Sequence, residues 1–135
     1  MEDQLAYLIA SVNRQLEEEL AEKLRPEGVP IEQMRILSAL ERNDGLAMGD
    51  LAAQVLVDST TLTKIIDRMV TALLVYRAPD PHDRRKVIIF LSPQGRSLIG
   101  RLQGIASEQQ EKIMSRLKGG KADELKRLLR DLMQA

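Results

Sequence analysis

Apolar residues recur at Leu5, Leu8, Ile9, Val12, Leu16, Leu20 and Leu24. That is the i, i+3, i+4, i+7 spacing of an amphipathic helix. Glu17, Glu18, Glu19 and Glu22 fall mostly on its other face and read as solvated surface. Pro26, Gly28 and Pro30 break the pattern. A second helix is predicted from about Ile31 to Arg42, with Ile31, Met34, Leu37 and Leu40 inward, and Asn43-Asp44-Gly45 is a turn signal. A short helix follows near Met48 to Val55, on Leu51, Ala52 and Val55. Asp58 stands where an N-cap belongs, ahead of a stripe of Leu62, Ile65, Ile66, Met69, Val70 and Leu73. Val75 with Arg77, and then Val87 to Leu91, read as the two strands of a hairpin whose loop is Pro-Asp-Pro-His-Asp. Ser92-Pro93 starts a long helix carrying Leu98, Leu102, Ile105, Ile113 and Leu117. Gly119-Gly120 ends it, and Leu125, Leu128, Leu129 and Leu132 mark a last helix. The expected order is four helices, a hairpin, a long helix and a short one, in a single domain without repeats.

Composition narrows this mainly α reading. The 135 residues suit one domain with a modest core. Only Tyr7, Tyr76 and Phe90 are aromatic, so that core must be aliphatic. No cysteine is present, which removes disulfides, thiolate metal sites and thiol redox sensing, and the lone histidine, His82, leaves no histidine cluster. No metal or other cofactor is expected. No apolar run approaches the ~20 residues that span a bilayer. The chain is expected to be cytoplasmic, with no membrane partner.

The net charge is zero, but its distribution is uneven. Residues 1–57 hold five basic and eleven acidic residues, whereas residues 58–101 hold eight basic and four acidic. The positive charge concentrates where the chemistry does. Ser59, Thr60, Thr63 and Lys64 share one exposed surface near the start of their helix. A short helix, a tight turn and a second helix with small polar residues on its N-terminal face is a helix-turn-helix pattern. Such a second helix fits the major groove, where Ser, Thr and Lys reach base edges and phosphates. The hairpin that follows makes it a winged helix. Pro79 and Pro81 stiffen the loop, and Arg84, Arg85 and Lys86 sit where a wing meets the DNA backbone and minor groove. Asp83 is close enough to hold an arginine in place. The blander alternative is a charged hairpin that keeps a sheet edge soluble.

The stretch D-S-T-T-L-T-K-I-I-D-R-M-V at 58–70, followed by Y-R-A-P-D-P-H-D-R-R-K-V-I-I-F-L-S-P-Q-G-R at 76–96, resembles the MarR (multiple antibiotic resistance regulator) family of bacterial transcription factors. The features that match are Thr60, Thr61, Thr63, Lys64, Asp67 and Arg68, then Arg77, Asp83, Arg85, Leu91, Ser92 and Gly95. The close match spans about residues 47–100. The resemblance implies a winged-helix core over 29–100 and dimerisation helices at 1–28 and 101–135. It implies an obligate homodimer that reads a pseudo-palindrome in double-stranded DNA, expected to be a ligand-responsive repressor. It adds Arg68 and Arg77 to the DNA-binding set, sends Arg85 into the minor groove and gives Asp83 the part of its support. It also implies a small phenolic or aromatic effector between the dimer helices and the winged helix, for which Tyr7, Arg14 and Arg35 are the candidate residues. The sequence departs from the family at Leu56 and Leu73, where members often have glycine. A leucine at positive φ costs roughly 1 kcal/mol or more, so these two turns are expected to take another shape.

Two rival readings remain. A winged helix can serve protein–protein contact, its basic tip meeting an acidic partner. An enzyme would need a convergent nucleophile, base or metal set, and one histidine, no cysteine and scattered carboxylates do not supply it.

Overall fold

The computed structural model describes residues 3–134. The periodic segments fold as helices α1 (Leu5–Leu24), α2 (Ile31–Arg42), α3 (Met48–Val55), α4 (Ser59–Thr71), α5 (Pro93–Met114) and α6 (Lys121–Met133). The hairpin is β2 (Val75–Pro79) with β3 (Val87–Leu91). A third strand, β1 (Leu46–Ala47), joins them, which the sequence reading did not anticipate. The sheet is antiparallel in the order β1-β3-β2, with Ile89 facing Leu46 on one side and Arg77 on the other. The chain is therefore a mainly α winged helix with a small sheet.

Local chemistry sets the boundaries. The Asp58 carboxylate accepts from the Thr61 N–H at 2.7 Å and caps α4. The Ser92 hydroxyl accepts from Gly95 N–H at 2.9 Å, and Pro93 opens α5. That hydroxyl also donates to the Leu73 carbonyl at 2.6 Å, which fixes the start of α5 against the turn before the wing. Gly95 is needed there for space: a Cβ on it would lie 2.1 Å from the Leu74 carbonyl oxygen. Asp44 ties three segments together. Its carboxylate accepts from Leu91 N–H at 2.9 Å, from Gly45 N–H at 3.1 Å and from Arg96 at 2.8 Å. Helix α5 stops at Met114, one turn short of the expected Leu117, and a turn through Gly119 and Gly120, both at positive φ, leads into α6.

The core is aliphatic, as the shortage of aromatics requires. Leu24, Ile36, Leu37, Leu40, Leu51, Leu62, Ile66, Met69, Ile89, Ile99 and Leu102 are fully buried in it. It joins the end of α1, one face each of α2, α3 and α4, the inner side of the sheet and the first half of α5. The two sheet aromatics, Tyr76 and Phe90, stack with their rings 5.4 Å apart.

Three expectations need correction. Leu56 and Leu73 do not avoid the left-handed region; their φ values are 59° and 63°. The reason is hydrogen bonding. A left-handed residue turns the chain so that the next N–H reaches back to close the helix, Val57 to the Ala52 carbonyl at 3.2 Å and Leu74 to that of Met69 at 2.9 Å. The turns keep the shape that glycine would give them, at the steric cost of leucine. The third correction is Glu17. It is half-buried rather than free on a solvated face, because Arg35 of α2 lies 3.1 Å away.

Candidate nucleic-acid interface

Helix α4 divides cleanly by face. Leu62, Ile65, Ile66 and Met69 enter the core, while Ser59, Thr60, Thr63, Lys64 and Arg68 are all exposed on the other side. The Thr63 hydroxyl donates to the Ser59 carbonyl at 2.9 Å, so its methyl and its two acceptor lone pairs are what it offers outward. The Asp58 cap draws the Asp58 carboxyl below the ordinary aspartate range, first through the Thr61 backbone N–H and then through the Thr61 hydroxyl.

The wing tip is built by its own aspartates. Asp80 accepts from His82 N–H at 2.8 Å, and the Asp80 N–H donates to the Lys86 carbonyl at 3.0 Å. Asp83 accepts from Arg85 N–H at 3.0 Å and from its side-chain Nε at 3.4 Å. These bonds fix a tight loop from which Arg84, Arg85 and Lys86 all project, the Arg85 side chain 92% exposed. Among the described residues, Asp83 is the one carboxylate paired with Arg85, at 3.4 Å. Asp83 thus stands beside Arg85 as the sequence reading expected.

Arg77 has a different placement from the cations at the tip. It lies at the base of the wing and pairs with Asp67 on α4. The ion pair fastens the wing to the helix, so the polar face of α4 and the basic tip belong to one braced surface. Sequence spacing could not reveal this partner, since residues 67 and 77 belong to different elements.

A cleft of about 530 Å³ opens on another part of the molecule, bounded by α1, α2, α3 and α5. Its polar walls are Asn13, Glu17, Arg35, Ser38, Arg42 and Gln54. Hydrogen bonding to Arg35, then to Asn13, holds the Glu17 carboxyl below the usual glutamate range. Of the three effector candidates, Arg35 lines this cleft, whereas Tyr7 and Arg14 do not. Arg14 pairs with Glu18 along the outside of α1, and Tyr7 is exposed near its start. The sequence reading missed Asn13, Ser38, Arg42 and Gln54, which converge from three helices with no common motif. A second, apolar groove of about 400 Å³ runs between α1 and α6, along Leu5, Leu8, Ile9, Val12, Leu125 and Leu129. Among the described residues, no group of three or more His, Asp or Glu could hold a metal ion, and no helix is long and apolar enough to cross a membrane.

Comparison with known proteins agrees with this geometry. A family model described as MarR family matches residues 27–86, from the turn after α1 to the wing tip. The HTH-type transcriptional repressor NicR of Pseudomonas putida is 31% identical over 103 residues, which cover 76% of this chain and 65% of NicR. The chain therefore spans just under two thirds of that relative. Among solved structures, a mutant MarR from E. coli complexed with operator DNA superposes with a TM-score of 0.85 at 26% identity, covering 95% of this chain and 92% of that one. BpsR of Bordetella bronchiseptica reaches 0.90 over 100% of this chain and 96% of its own, at an identity of 22% that speaks to fold alone. The matched segment runs through the helix-turn-helix and its wing, and the same architecture extends over the flanking helices, so the chain is similar to the MarR family in both sequence and fold.

Proposed function

We propose that the protein is a DNA-binding transcriptional regulator, a homodimeric repressor that releases its operator when a small effector binds. The observation that carries this reading is the single braced surface formed by α4 and the wing. Small polar residues and Lys64 occupy the exposed N-terminal face of α4, and three consecutive cations crown a loop tied to that helix by Arg77 and Asp67. A helix of this kind reads base edges in the major groove, and an exposed arginine on a stiff loop enters the narrow, negative minor groove beside it. NicR, a transcriptional repressor, and the operator complex of the E. coli MarR mutant support the same assignment.

The cleft is where the effector would bind. Arg35 and Arg42 favour an anionic group, and Leu20, Met34 and Val55 favour a flat apolar body. A small aromatic or phenolic acid has both. The volume suits such a ligand.

The test is duplex binding at several salt concentrations by Arg85→Ala, Asp83→Ala, Thr63→Ala and Lys64→Ala. Arg85→Ala is expected to weaken binding to many sequences by about 1–3 kcal/mol and to lower the salt slope by about one unit. Asp83→Ala acts in the same direction but less, because the arginine's charge remains. Thr63→Ala and Lys64→Ala relax the preference at particular positions inside a half-site. If Arg85→Ala leaves affinity and slope unchanged, the tip is not a DNA wing, and an acidic protein partner becomes the better reading.

A further inference from the structure

Leu56 combines two features that do not belong together in a residue serving only the fold. It sits at φ 59° and ψ 42°, where any residue other than Gly, Asn or Asp is disfavoured. The residue is also 89% exposed, so burial within the chain does not offset that cost. Glycine would close the same turn with less strain. Leu73 has the same conformation and is 61% exposed, so strain alone does not single out Leu56. Position does. Leu56 stands on the wall of the 530 Å³ cleft with its neighbour Val55, a cleft that Arg35 and Arg42 also line, and Leu73 does not border it. Leu56 also lies two residues before Asp58, the cap of α4.

We propose that Leu56 is the apolar contact of the effector, and that it carries occupancy of the cleft to the DNA-reading helix. This rests on the effector cleft of the proposed function. The ligand is a small organic anion. Its charged end meets the guanidinium side of the cleft, and its apolar body covers Leu56 and Val55. A ligand seated against Leu56 gains contact only while the α3–α4 turn keeps one geometry. It therefore favours the orientation of α4 that goes with that geometry. An effector with differential contact of this kind shifts the equilibrium between orientations; one without it cannot.

Benzoate is the probe, titrated calorimetrically into the full-length wild type, Leu56→Gly, Leu56→Met and Leu73→Gly, with melting temperature, mass and duplex binding measured on each. Wild type is expected to bind. Leu56→Gly should lose about fivefold or more in benzoate affinity, as expected for an apolar side chain no longer covered, while melting no lower than wild type. Leu56→Met keeps an apolar contact at the same backbone cost and should bind benzoate nearly as wild type does. Leu73→Gly relieves the same strain away from the cleft and should leave benzoate affinity unchanged. Equal affinity in Leu56→Gly and wild type overturns the proposal. So does an equal loss in both glycine variants, which would assign the effect to turn flexibility. A change in mass on Leu56→Gly would make the residue a subunit contact instead. No benzoate binding by wild type at ten-millimolar concentration overturns the cleft and the part of Leu56 together. Failure of wild type to bind duplex DNA would instead sink the regulator reading and leave the benzoate result standing.

Discussion

Asp58 shows how one exposed carboxylate can define an element. It accepts from the Thr61 backbone at 2.7 Å and from the Thr61 hydroxyl at 3.0 Å, and it faces the positive end of the α4 dipole. Both bonds favour the ionised form, which is why its carboxyl titrates below the usual aspartate range. A group with a depressed folded value stabilises the fold fully above its unfolded value, and that contribution is lost as pH falls through the depressed one. The melting-temperature gap between wild type and Asp58→Ala should therefore be open at neutral pH and close on acidification below about pH 4. Glu17 is shifted in the same direction by Arg35, but it is present in both proteins, so its titration cancels in the difference. Thermal unfolding of the pair across a pH series makes the check. A gap that stays constant into strong acid would show that the cap acts through its neutral form.

At the scale of elements, the wing and α4 are joined by the Arg77–Asp67 ion pair, and the two roles open to Arg77 predict different mutants. If Arg77 braces the wing, Arg77→Ala and Asp67→Ala should weaken DNA binding alike, and the double mutant should be no worse than either. If Arg77 instead touched DNA directly, Arg77→Ala would weaken binding while Asp67→Ala, by freeing the cation, would not. Bracing is the expected outcome, read from a double-mutant cycle on DNA affinity. The pair is largely exposed, so its effect on thermal stability should stay under about 1 kcal/mol. This pair also marks the limit of what the sequence discloses. Helices α1 to α6 and the hairpin were legible because burial imposes periods of 3.6 and 2 over many residues, and Asp58 and Ser92 announced their caps. Strand β1 was not legible, since two residues, Leu46 and Ala47, carry no period. Leu56 and Leu73 were noticed but misjudged, because the bonds from Val57 and Leu74 that fix their conformation form only once the turns are closed. Asn13, Glu17, Arg35, Ser38, Arg42 and Gln54 meet through tertiary packing of three helices, for which no local pattern exists. Arg84, Arg85 and Lys86 were legible because a loop of prolines and aspartates leaves long cations nowhere to go but outward.

One chain alone leaves an apolar face uncovered at the scale of the whole molecule. No residue of α6 is buried, and Leu125, Leu128, Leu129 and Leu132 all lie exposed along it. An isolated helix of 13 residues is marginal in water, so α6 needs a surface to cover that face. Leu5, Leu8, Ile9 and Val12 are exposed on α1 and line the same groove as Leu125 and Leu129. Together they make an apolar face of the kind that marks an interface. The proposed cover is a second copy, since the interlocked ends of two such chains would bury each other's stripes. Light scattering at micromolar concentration should give twice the 15.2 kDa chain mass, and a stable monomer would end this architecture. Such a dimer would in turn fix what DNA it could read. Two-fold symmetry presents two α4 helices in opposite senses, so each half-site must be the inverse of the other. For both to enter the major groove from one side of the duplex, the half-sites must lie one helical turn apart, about 10 bp centre to centre. In that arrangement the two wings would fall outside the helices, over the flanks, where Arg85 would sense groove width more than base identity and so favour A·T-rich sequence. Selection from random duplexes should return inverted repeats at that spacing with A·T-rich outer positions. Direct repeats, or inverted repeats a half-turn out of phase, would require a different dimer.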